Sequence, residues 1–165
     1  MGIASLERHP NGAESKFVAT RFAQICYCDC IMLSYKLDKE NMILITTWVG
    51  EVRDAVLIEF YEKIRADPSF DHKFREIVDL RQADLSGVTA EGLQRLNELH
   101  TDHMSKFKEV KPTKAAIIAS EALSYGLSRM YSGKSDEMIE TNVFKISGEA
   151  LAWLELPDDY QYISD

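Results

Sequence analysis

The chain has 165 residues, 45% of them hydrophobic and 28% charged, which suits one globular domain with its own core and excludes disorder over most of its length. Lys and Arg number 19 against 27 Asp and Glu, a formal net charge of -8, so a nucleic-acid or anionic-membrane partner is not expected. The most apolar stretch, residues 17–33, is broken by Arg21, Gln24 and Asp29. It falls short of the roughly 18 apolar residues of a membrane helix, and no integral membrane segment is expected.

Residues 1–31 differ from the rest. Gly2, Pro10, Asn11 and Gly12 break any early pattern, and the later apolar residues keep no sustained period. This stretch is read as a leader, with Phe17, Phe22 and Ile25 as anchors if it lies across the domain. Met32, directly before an apolar run, is a second candidate start. The opening Met1-Gly2-Ile3-Ala4-Ser5 places its serine one position too early for N-terminal acylation. All three cysteines, Cys26, Cys28 and Cys30, fall here at a spacing that suits neither a disulfide framework nor a zinc site. Reduced thiols and a cytoplasmic location follow, with no metal and no cofactor.

From Leu33 onward strand and helix signals alternate. Leu33 to Leu37 and Met42 to Val49 flank the polar turn Asp38 to Asn41 and read as a hairpin. Gly50 ends it. Glu51 to Ala66 carries Val52, Val56, Phe60 and Ile64 every four residues, one apolar stripe of a helix that Pro68 stops. Ile77, Val78 and Leu80 form a buried strand, and Asp79 and Asp84 lie where it ends. Thr89 opens a second helix reaching about Phe107, with Leu93, Leu96, His100, Met104 and Phe107 at helical spacing. Lys114 to Ala119 is an apolar run fit for a strand buried on both faces. Ser120 caps a third helix with the stripe Leu123, Leu127, Met130 and Tyr131, closed by Gly133. Asn142 to Ile146 is a last strand, and Ser147 caps a short helix ending in Trp153 and Leu154.

The order ββαβαβαβα predicts an α/β fold with one mixed, mostly parallel sheet and right-handed crossovers. The domain spans 32–157, and 158–165 is an acidic tail.

Three residue groups compete for chemistry. Asp79 and Asp84 are carboxylates at a strand end, but further oxygen ligands for a cation are not identifiable, and pairing of Asp79 with Arg81 is the simpler reading. His100 and His103 lie three apart on one helix, and His100 falls on the apolar stripe, which fits a packed histidine better than zinc. Ser86, Gly87 and Thr89 precede a helix N-terminus, where exposed N–H groups attract anions and a hydroxyl is a target for phosphorylation. Ser120 and Tyr125, after the fourth predicted strand, share this rim. Trp48, Tyr125, Tyr131 and Trp153 could line an apolar pocket. Neither a glycine-rich phosphate loop nor a catalytic triad is present, so no catalytic residue is assigned and no enzymatic activity is expected.

The stretch IVDLRQADLSGVTAEGLQRL resembles the strand-loop-helix of the STAS domain, the fold of the anti-sigma factor antagonist SpoIIAA. KAAIIASEALSYGLSRMY and NVFKISGEALAWLEL look like the matching later elements in SpoIIAA-like small bacterial proteins. The resemblance covers about Leu33 to Leu156. It implies a non-enzymatic regulatory module that binds a protein partner through the loop before the second helix, with Asp84, Ser86, Gly87, Thr89, Glu91, Gly92, Ser120 and Tyr125 at the contact. In that family a loop serine is phosphorylated. The family's aspartate-serine-serine-glycine run aligns here with Thr89-Ala90-Glu91-Gly92, which leaves Ser86 and Thr89 as the nearby hydroxyls and Glu91 as a fixed charge. SpoIIAA-like folds are also similar to lipid-binding Sec14-type domains, so a small apolar ligand is the alternative.

Overall fold

The computed structural model describes residues 21–28, 31–107, 112–120, 122–132, 139–157 and 159–160. Phe17, Cys30, Gly133, the side chain of Tyr131 and most of the acidic tail lie outside them. Among the described residues six strands form one sheet in chain order: β1 (Arg21–Cys28), β2 (Ile31–Asp38), β3 (Ile43–Arg53), β4 (Arg75–Gly87), β5 (Thr113–Ile118) and β6 (Ile139–Phe144). β2 pairs antiparallel with both β1 and β3, and β3 through β6 are parallel to one another. The helices are α1 (Asp54–Ala66), α2 (Ala90–Met104), α3 (Ala122–Ser132) and α4 (Ser147–Trp153).

The mixed α/β architecture matches the sequence reading, with one more strand. β1 lies in the stretch 1–31, whose apolar residues keep no sustained period, and pairs with β2 from Arg21 opposite Leu37 onward. Between β2 and β3, Asp38 organises the turn: its carboxylate accepts the backbone N–H groups of Glu40 and Asn41, both at 3.1 Å, and the Asn41 side-chain amide at 2.9 Å. Partial burial pushes the Asp38 carboxyl up, but these bonds from Asn41 and its neighbours outweigh it and hold the group below its ordinary value.

The three crossovers β3-α1-β4, β4-α2-β5 and β5-α3-β6 step the same way across the sheet. Right-handed connections of that kind place their helices on one face. Leu57, Phe60 and Ile64 of α1, Leu96 of α2 and Leu127 of α3 accordingly join one core with Leu44, Trp48, Val78 and Leu80. The opposite face is covered by α4, whose Ala150, with Leu154 and Leu156 just beyond it, packs on Ile43, Ile45, Ile77, Ala116 and Ile118. The Arg75 guanidinium ties the two layers, donating to the Leu154 and Asn41 carbonyls.

Several element boundaries differ from the sequence reading. Gly50, expected to end a strand, takes a left-handed φ of 82° and lets β3 continue to Arg53, so Val52 is a buried strand residue and α1 begins at Asp54. β4 runs to Gly87, so Asp84, Ser86 and Gly87, expected in a loop, lie within a strand. Two bulges explain why alternation failed to show this. Thr47 pairs with Asp79 and Val49 with Gln82, then Glu51 with Asp84 and Arg53 with Gly87, so β4 twice fits three steps against two. Each bulge reverses the phase: Val78 and Leu80 face the helices first, then Ala83 and Leu85, then Val88. The last strand is Ile139–Phe144, which leaves Ile146 beyond it, 60% exposed as the residue before α4.

Candidate functional site

The C-terminal end of the sheet is staggered. β5 stops at Ile118 opposite Asp79, whereas β4 continues to Gly87 with β3 alone beside it. Past Asp79 the other edge of β4 therefore carries no strand among the described residues. α3 fills part of that gap with hydroxyls: Ser124 Oγ donates to the Ala83 carbonyl at 3.3 Å, and Ser120 Oγ, just before α3, to the Arg81 carbonyl at 3.4 Å. Buried carbonyls want such partners.

This requirement reorients α3. Leu123 and Met130, placed on the apolar stripe by their spacing, are 54% and 49% exposed, while Ser124 and Ser128 are buried. Between the β4 edge and the start of α3 lies an open groove of about 320 Å³, lined by Arg81, Gln82, Ala83, Asp84, Leu85, Leu123 and Ser124. Of the expected contact residues, Asp84 lines this groove and Ser120 borders it. Ser86 is exposed and donates its backbone N–H to Asp84 Oδ1 at 2.9 Å. That bond, with a second from the Ser86 side chain, lowers the Asp84 carboxyl.

Thr89 and Gly92 face the other way, towards Asp54 at the start of α1, and Gly87 lies against Val52 and Arg53 of β3. Thr89 is the N-cap of α2 as expected, its hydroxyl accepting the Gly92 N–H at 3.0 Å. The same hydroxyl donates to Asp54 Oδ2 at 2.7 Å, and the Thr89 backbone N–H donates to Asp54 Oδ1 at 2.9 Å. The anion that the α2 N-terminus attracts is thus supplied by the chain itself. Glu91 is exposed in the first turn, and Tyr125, one turn into α3, lies under the Lys145 ammonium at 4.9 Å.

Asp79 and Arg81 form the pair their sequence suggests. The guanidinium meets the buried carboxylate through two nitrogens, the shortest contact being 2.7 Å. Among the described residues no group of three or more His, Cys, Asp or Glu is placed to hold a metal ion, and no helix is long and apolar enough to cross a membrane.

The interior holds His100, as its spacing suggests, and beside it Glu76, which the sequence does not single out. Two hollows of about 50 Å³ lie on the helix-covered face and share Tyr61, Glu76, His100, Ala115 and Ile139. Glu76 accepts from Tyr61 Oη at 2.7 Å, and burial, only partly offset by this bond, by Thr46 and by Arg65, pushes its carboxyl up to about 7. Burial together with nearby Arg65 and His103 pushes His100 down to about 3, so it is neutral. His100 packs edge-on against Tyr61, with ring centres 5.1 Å apart. The strand periodicity hid Glu76, a charged residue at an inward position.

No protein-family model matches the sequence, and no curated protein matches it. Among solved structures, the chain is similar to an uncharacterised protein of the DUF3478 family from Shewanella loihica PV-4, whose crystal structure has a SpoIIAA-like fold. The similarity covers 80% of this chain and 99% of that one, with a TM-score of 0.51 and 16% identity. The fold is SpoIIAA-like. At this identity the SpoIIAA-like relationship concerns the backbone alone, and the side chains of the rim and of the interior have to be read for themselves.

Proposed function

We propose that the chain is a binding module that takes an extended segment of a protein partner in the groove between β4, from Gln82 to Ser86, and the start of α3, as a regulatory contact, the partner's main chain replacing the Ser124 hydroxyl on the Ala83 carbonyl. The supporting observation is the stagger of β4 past β5, which leaves a strand edge and a groove of about 320 Å³ beside exposed Leu123. Extended peptides add to such edges through main-chain hydrogen bonds, and one apolar pocket or side chain supplies selectivity. Leu123 serves as that apolar anchor, and Asp84 and Ser120 flank it.

Ser86 is the hydroxyl this reading assigns to phosphorylation. A phosphate there adds about two negative charges beside Asp84, which repels an acidic segment and releases it. Thr89 serves as a cap for α2, its hydroxyl already bonded to Asp54. Glu91, Gly92 and Tyr125 stand at the margin of the contact.

Affinity capture with the whole protein tests this reading. Leu123→Arg and Ser86→Glu alter exposed positions, so both variants should fold. Proteins retained by the unaltered chain and lost with both variants support the groove as the contact. An unchanged set of retained proteins contradicts it. The interior hollows favour a second reading, carriage of a small apolar ligand.

A further inference from the structure

Among the described residues β6 pairs with β5 alone, so it forms one edge of the sheet. The backbone groups of successive strand residues point alternately to the two sides of a strand. The Phe144 carbonyl accepts the Ala119 N–H at 3.0 Å, which turns the backbone groups of Phe144 and Asn142 towards β5 and those of Val143 and Thr141 outward. An outward row of this kind is a template for another strand. Here it is interrupted. The Val143 N–H donates to Asn142 Oδ1 at 2.9 Å, so the carboxamide stands where an added strand would bring an accepting carbonyl. Asparagine is depleted in strands, and β6 carries it directly before the outward donor that it occupies.

The backbone behind this guard is complementary to itself. A two-fold axis at Asn142 sets Thr141 opposite Val143 of a second, antiparallel copy and Val143 opposite that copy's Thr141, so both pairs of outward groups can exchange N–H and carbonyl bonds. In the same register Glu140 stands opposite Phe144 and Lys145 opposite Ile139, and no like charges meet. We propose that Asn142 holds the β6 edge shut against a second copy of the chain, and that withdrawal of its carboxamide opens the edge to antiparallel self-association. On β4 the Ser124 hydroxyl of α3 occupies the Ala83 carbonyl in a comparable way, whereas β6 closes its edge with a side chain of its own. The β6 edge is separate from the β4 groove and stands whether or not a protein partner binds there.

Sedimentation velocity of the full chain over a range of concentrations tests the guard. Asn142→Val should raise the self-association constant at least about tenfold over the unaltered chain, because two freed N–H groups per dimer find carbonyls. Asn142→Ala, which removes the carboxamide without adding a β-branched side chain, should raise it as well. In that variant exchange of the Val143 amide should be faster than in the unaltered chain when dilute and should slow on concentration. Thr141→Pro, added to either variant, should abolish the association, since the Thr141 N–H points outward and proline there removes a bond of the dimer and none to β5. Slow amide exchange along β5 reports in the same samples that the sheet is intact. Unchanged self-association in both Asn142→Val and Asn142→Ala, or association that persists with Thr141→Pro, would overturn the proposal.

Discussion

The carboxylate of Asp54 accepts both the backbone N–H and the hydroxyl of Thr89, although the two residues are 35 apart in the chain. The first residue of α1 thereby closes the N-terminus of α2, and Gly92 makes room for it, since a Cβ there would fall on the Asp54 carboxylate. Gly92→Ala should cost about 1–2 kcal/mol through the displaced cap bonds, despite the better helix propensity of alanine. In an Asp54→Ala background the obstruction is gone. There the same substitution should be neutral or stabilise by up to about 1 kcal/mol, a change of sign that a double-mutant cycle by urea denaturation reads directly.

Glu76 and His100 impose opposite pH dependences. Burial raises the Glu76 carboxyl from 4.5 to about 7, so between these values the folded chain keeps a proton that the unfolded chain has lost. Its contribution is complete below about pH 4.5 and falls away as pH rises to about 7, on the order of 3 kcal/mol. His100 is lowered from 6.5 to about 3, so the unfolded chain takes up a proton that the folded chain refuses. Its contribution is complete above about pH 6.5 and declines towards pH 3. The two slopes oppose each other between about pH 4.5 and 6.5, where this pair should leave the stability nearly flat. Glu76→Gln should unmask a rise with pH across that window, and His100→Phe a fall. Urea midpoints measured from pH 4.5 to 8 check both signs.

Polarity and apolarity exchange their usual weights on α3. Ser124→Ala leaves the Ala83 carbonyl without its hydroxyl partner in a buried setting and should cost about 1–3 kcal/mol. Leu123→Ser, on the exposed side of the same helix, should stay within about 0.5 kcal/mol of the unaltered chain. Equal costs for the two in thermal or chemical denaturation would contradict the orientation of α3.

The alternating order of strands and helices was legible because β3 through α4 carry strong local signals. Thr89 as a cap, the Asp79 and Arg81 pair and the packed His100 could be read from spacing alone. Three features could not. The length of β4 was masked by two bulges that reverse its inward phase, so Asp84 and Ser86 looked like loop residues. The inward face of α3 departs from its apolar spacing because Ser124 is drawn in by a strand carbonyl, a contact 41 residues away that no helical period encodes. The buried setting of Glu76 is not legible because its partner Tyr61 Oη comes from α1, 15 residues away, and no strand period encodes that contact. In each case a long-range hydrogen-bond requirement overrode a local pattern.

Amide hydrogen exchange along β4, measured with the captured partner bound and without it, tests the proposed contact most directly. Partner binding in the β4 groove should slow exchange at Gln82 to Ser86 and at the start of α3, and Leu123→Arg should abolish the slowing. Protection confined to α1 and α2, with β4 past Asp79 unchanged, would contradict the account.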